Sequence, residues 1–129
     1  MISPTGKLTR KPDKWGSGAY GSGRGIRHHK GADFICDPGQ DVVAPIEGLL
    51  IREARPYASG DYSGCLIQGK HIAIKMFYLD LDRSLIGNYV HQNDVIGTAQ
   101  DISFPKYPGM RPHIHLEVES IGPEILTFI

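Results

Sequence analysis

What most constrains this chain is the brevity of its apolar runs. From residue 31 onward it reads "ADFIC", "DVVAPI", "GLLIREA", "GCLIQG", "HIAIKMFYL", "DVIGTA" and "HIHLEVE", all of strand length and rich in aliphatic or β-branched residues. Turn-forming stretches such as "SGDYSG" and "QGK" stand between them. Only "DLDRSLIGNYV" offers a helical candidate, and Gly87 interrupts it. Short strands at close spacing predict an all-β fold, a compact antiparallel sandwich or barrel-like core. The chain has 129 residues, enough for one domain with a modest core. No apolar run approaches the ~20 residues that span a bilayer. A faint internal echo, "GQDVVAP" against "QNDVIGT", suits a pseudo-duplicated arrangement.

Charge divides the chain. Residues 1–30 carry Lys7, Arg10, Lys11, Lys14, Arg24, Arg27 and Lys30 against Asp13 alone, while the net charge of the whole chain is zero. A basic arm of this kind suits anionic polymers; a solvated segment is the preferred reading, with no nucleic-acid partner and no membrane span expected. Residues 1–23 are therefore read as a basic lead-in rich in Gly and Pro, and residues 24–129 as the single folded domain. No apolar h-region follows the basic N-terminus, so no signal peptide is read there. The motif "GSGAYG" matches GxGxxG, but no strand precedes it and no helix follows, so a flexible loop is expected. Cys36 and Cys65 make no disulfide framework, and without a CxxC a thiolate zinc site is not expected.

The candidate chemistry lies in two stretches. In "RPHIHLEV" a strand places His113 and His115 on one face, ~6.6–6.8 Å apart, and Ile114 and Leu116 on the other. In "RHHKGADFIC" a strand turns Asp33 away from Phe34 and Cys36, with Gly31 allowing a turn between Asp33 and the preceding histidines. A carboxylate with imidazoles is a suitable set for zinc with one position open to water, although spacing does not choose between His28 and His29.

Four ordered stretches, "HKGAD", "VVAPIEG", "VHQNDVIG" and "PHIHLEV", resemble the zinc peptidases of the lysostaphin/LytM type with their HxxxD…HxH signature. Within that group "HKGADFIC", "RPY" and "IKMFYL" are most similar to the branch containing leukocyte cell-derived chemotaxin 2. The resemblance implies a duplicated hybrid motif, a compact antiparallel β core with an open groove. It also implies Zn2+ held by His29, Asp33 and His115, with His113 standing in the groove as a catalytic group. The chain departs from the family at Tyr78, which stands where active members usually carry a histidine, as it does in the chemotaxin branch. Tyrosine can donate a hydrogen bond to an oxyanion, but with an ordinary pKa of ~10 it is a poor base at neutral pH. His71, in the turn before that strand, is read as a surface histidine and not as a replacement.

Two functions follow from the resemblance. The first is a zinc metalloendopeptidase cutting Gly- or D-Ala-containing cross-bridges of peptidoglycan, with Tyr78 beside His113. The second is a catalytically silent zinc module that binds a receptor or glycan. Either would act outside the cytoplasm.

Overall fold

The computed structural model describes residues 1–8, 23–24, 27–28, 31–103 and 108–121. Eleven strands lie among them. They are β1 (Gly23–Arg24), β2 (Arg27–His28), β3 (Gly31–Ile35), β4 (Asp41–Val43), β5 (Gly48–Glu53), β6 (Gly64–Gln68), β7 (Ile72–Phe77), β8 (Leu79–Leu81), β9 (Tyr89–Val90), β10 (Val95–Ala99) and β11 (His113–Ile121). The expected all-β architecture is what forms. A six-stranded sheet runs β3-β11-β7-β6-β5-β9, a three-stranded sheet runs β4-β10-β8, and β1 pairs with β2. Every pairing is antiparallel.

Alternation along the strands explains where the core sits. Leu50, Ile67, Ile74, Met76 and Ile114 of the larger sheet meet Val42, Leu79 and Ile96 of the smaller one in a single apolar cluster, and all of these are fully buried. Burying each such side chain contributes roughly 1.5–3 kcal/mol. The two echoing stretches turn out to be partners: β4 and β10 pair with Thr98 opposite Asp41 and Val95 opposite Val43, across an irregularity at Ile96.

Three local expectations need correction. The stretch "HIAIKMFYL" is two strands, not one, because Tyr78 adopts φ 76° and hands the chain from the large sheet to the small one. The segment "DLDRSLIGNYV" forms β8, a single 3-10 turn over Arg83–Leu85 and β9. Asp82 caps that turn by accepting from the Ser84 amide at 3.1 Å. Gly31 does not turn the chain: it opens β3, and a Cβ there would collide with the Leu116 carbonyl of β11. Glycine is needed for close strand approach, not for φ.

The first eight residues are bound to the core and not simply solvated. The Ile2 amide donates to the Pro45 carbonyl (3.1 Å), Val43 to Pro4 (2.9 Å) and Ile35 to Leu8 (2.9 Å). Thr5 Oγ1 donates to the Ile35 carbonyl at 2.8 Å, and Lys7 pairs with Asp37 at 2.7 Å. Among the described residues no helix is long and apolar enough to cross a membrane. Cys36 and Cys65 are both free and buried, so they do not pair. Burial raises their thiols to about 11 and about 12.

Candidate active site

Strand β11 is the spine of the site. Its neighbours β3 and β7 put Asp33 on one side of His115 and Phe77 on the other, each directly in register. Residues opposite one another in antiparallel strands share a face, so the imidazole meets the carboxylate and the ring across the ladder. Phe77 stacks on His115 with ring centroids 6.1 Å apart and planes 6° from parallel. Asp33 is 2 % exposed and His113 is 3 % exposed, while Ile114 and Leu116 point into the core. The expected split of β11 into a histidine face and an apolar face is therefore what the strand does.

Hydrogen bonds fix how each imidazole is presented. His113 Nδ1 lies 2.8 Å from the Arg111 carbonyl, which can only accept, so Nδ1 carries the proton. Nε2 then lies 3.6 Å from Asp33 Oδ2. His115 Nε2 donates to Glu117 Oε1 at 3.0 Å, leaving Nδ1 against Asp33 Oδ1 at 2.5 Å. In the neutral ring that would set a lone pair against a carboxylate, an arrangement that requires a cation between them. A proton on Nδ1 meets the requirement. Burial lowers the pKa of His115, but the hydrogen bonds and charges of Asp33 and Glu117 outweigh it and raise it to about 9. A divalent metal would answer the same need, and imidazoles whose second N–H rests on a carboxylate or carbonyl have the usual arrangement of metal ligands.

Among the described residues no three His, Cys, Asp or Glu side chains form a group that could hold a metal ion. The expected third ligand, His29, lies outside the described residues, as does the loop "GSGAYG". His28 is described only as the end of β2. His71 lies in the turn before β7, at the opposite end of that strand from Tyr78. The histidine doublet, Asp33 and Tyr78 are thus brought together.

Tyr78 closes the other side. Its ring stands edge-on to His113, centroids 5.5 Å apart at 83°. Its hydroxyl is 2.8 Å from that of Tyr57 in the loop between β5 and β6. Tyr62, in the same loop, packs edge-on against Tyr78 (5.6 Å, 88°). Glu117, Phe77, Tyr57 and Tyr62 were not among the expected site residues. Period-two alternation beyond His115 would have found Glu117. Phe77 and the two loop tyrosines carry no such local signal.

Comparison with known proteins agrees with this architecture. Residues 27–125 match the model of peptidase family M23. Leukocyte cell-derived chemotaxin-2 of Bos taurus is 31 % identical over 110 residues, covering 84 % of this chain and 71 % of the relative. The Mus musculus protein is 29 % identical over the same shares. The solution structure of lysostaphin superposes with TM-score 0.57 at 20 % identity, covering 95 % of this chain and 49 % of lysostaphin, so the chain spans about half of that protein. A mutant of the catalytic domain of the prophage-encoded M23 protein EnpA from Enterococcus faecalis superposes with TM-score 0.54 at 18 % identity, covering 94 % and 82 %. At these identities the two structures speak to fold alone.

Proposed function

The chain belongs to peptidase family M23, and on that premise we propose that residues 24–129 form a zinc-dependent metalloendopeptidase domain acting on peptidoglycan cross-bridge peptides containing Gly or D-Ala. One observation carries the reading. Both imidazoles of the doublet have one nitrogen anchored and the other aimed at a buried carboxylate, which is how a cation site is prepared. His29, Asp33 and His115 would hold the ion. Zinc, when bound, supplies Lewis acidity and an acidified water.

The chain's own groups do the rest. The Arg111 carbonyl keeps the proton of His113 on Nδ1, so Nε2 is the atom that takes a proton from water and returns it to the leaving amine. The Tyr78 hydroxyl donates a hydrogen bond where negative charge develops on the scissile carbonyl oxygen. Glu117 orients His115, and Phe77 shields one face of that ring from water. A peptidoglycan substrate places the working site outside the cytoplasm.

Tyr78 also supports a second reading, a zinc module without turnover that binds a receptor or glycan. A tyrosine there removes one imidazole from proton transfer, and the two chemotaxin-2 relatives are similar over 84 % of the chain. Metal analysis, combined with release of amino groups from purified peptidoglycan, separates the two. Hydrolysis that is lost in His113→Ala and His115→Ala supports the peptidase. Zinc bound with no turnover above the His115→Ala background supports the silent module.

A further inference from the structure

Tyr78 occupies a left-handed backbone conformation, φ 76°, that disfavours a non-glycine residue, and the surrounding fold holds it there. The amides of Tyr78 and Leu79 both donate to the Ser63 carbonyl, at 2.7 and 3.2 Å, while the Gln100 amide donates to the Tyr78 carbonyl at 2.9 Å. Ser63 is in turn fixed by Gln100 Oε1, which accepts from its amide (3.0 Å), and by Glu53 Oε2, which accepts from its hydroxyl (2.9 Å). Backbone strain maintained by this many contacts marks a side chain whose direction matters. The direction it takes brings the phenol edge-on to His113 and its hydroxyl to that of Tyr57.

Two hydroxyls 2.8 Å apart share a single hydrogen bond, so one donates and the other accepts. We propose that Tyr57 is a positioning residue for the reaction: it donates to Tyr78 Oη and so turns the Tyr78 hydrogen toward the developing oxyanion. The inference rests on the hydrolytic reading above. A phenol that accepts a hydrogen bond is polarised and becomes a stronger donor through its own hydrogen, which is the cooperative behaviour of hydrogen-bonded chains. The edge-on contacts of Tyr62 with both Tyr57 and Tyr78 hold the two rings at this separation. The pair thus compensates in part for the absent imidazole. It supplies orientation and hydrogen-bond strength, not a base. No bond is made or broken at either tyrosine.

The test uses the zinc-loaded full chain and two probes. One is a diglycyl phosphinate, whose tetrahedral phosphorus resembles the transition state of amide hydrolysis; the other is triglycine, a ground-state comparator. Calorimetry should show Tyr78→Phe weakening phosphinate binding about 10²-fold and Tyr57→Phe about 10-fold, with triglycine affinity within about twofold of wild type. The double variant should bind as Tyr78→Phe does, because Tyr57 acts through Tyr78. Thermal unfolding of Tyr57→Phe should match the wild type, which separates positioning from folding. Phosphinate binding by Tyr57→Phe within about twofold of wild type, equal losses for both probes, or additive losses in the double variant would each overturn the proposal. A wild type that shows the coupling but does not hydrolyse peptidoglycan contradicts the hydrolytic reading while supporting the tyrosine pair. A wild type that takes up no zinc and no phosphinate overturns both.

Discussion

The two walls of the candidate site are built by different means. On the β3–β11 side, Asp33 and His115 face each other because antiparallel register puts them there, and Glu117 follows by the same alternation. On the β7–β8 side, Tyr78 is reached only through a left-handed corner tied to Ser63 and Gln100, and its partner Tyr57 comes from a loop. The ladder wall concentrates charge and anchored imidazole nitrogens. The corner wall carries neutral hydroxyls on aromatic rings. The first suits a cation, and the second suits hydrogen-bond donation to a neutral or developing anionic oxygen. Damage to Asp33, His115 or Glu117 in the first should therefore weaken or remove the metal, whereas damage to the second should leave the metal and slow the chemistry.

The largest effect is expected on the ladder. Asp33→Ala should lower zinc affinity by more than about 10²-fold, read by equilibrium dialysis and metal analysis, since on the proposed reading it removes a ligand and not merely its support. Retention of wild-type affinity would break the contrast between the walls. His113→Ala should keep zinc yet lose about 10²–10⁴-fold in turnover of peptidoglycan peptides. If zinc leaves with His113, that residue belongs to the cation and not to proton transfer. Glu117→Ala sits one step further out and should weaken zinc by about 10–100-fold, measured by competition with a chromophoric chelator.

Smaller effects belong to the corner. Ser63→Ala removes the hydroxyl donated to Glu53 and should cost about 1 kcal/mol in urea unfolding, with zinc affinity unchanged. A zinc loss there would mean that the corner supports both walls. The thiols should be silent altogether. Burial raises Cys36 to about 11 and Cys65 to about 12, so both stay protonated at neutral pH and should react with a disulfide reagent only once the protein unfolds.

Sequence was most informative where a period governs the outcome. Seven apolar stretches became strands, Ile114 and Leu116 turned inward, and the echoing Asp-Val segments proved to be β4 and β10 in one sheet. The doublet at His113 and His115 was legible for the same reason. What was not legible depends on single dihedrals and distant contacts. Nothing in "HIAIKMFYL" announces that Tyr78 leaves one sheet for another, because aromatic residues there read as continuous strand. Tyr57 lies 21 residues from Tyr78, beyond any local pattern. The first residues read as a loop through Pro4 and Gly6, and their docking against Pro45, Val43 and Ile35 depends on tertiary partners that composition does not reveal.

In the proposed site the two histidines of one strand face have different tasks, His115 on the ion and His113 beside it. Zinc stoichiometry after dialysis against trace metal tests this most directly, across wild type, His113→Ala and His115→Ala. About one zinc per chain is expected for wild type and for His113→Ala, and loss of zinc in His115→Ala. Equal loss in both variants, or a wild type that binds none, would contradict it.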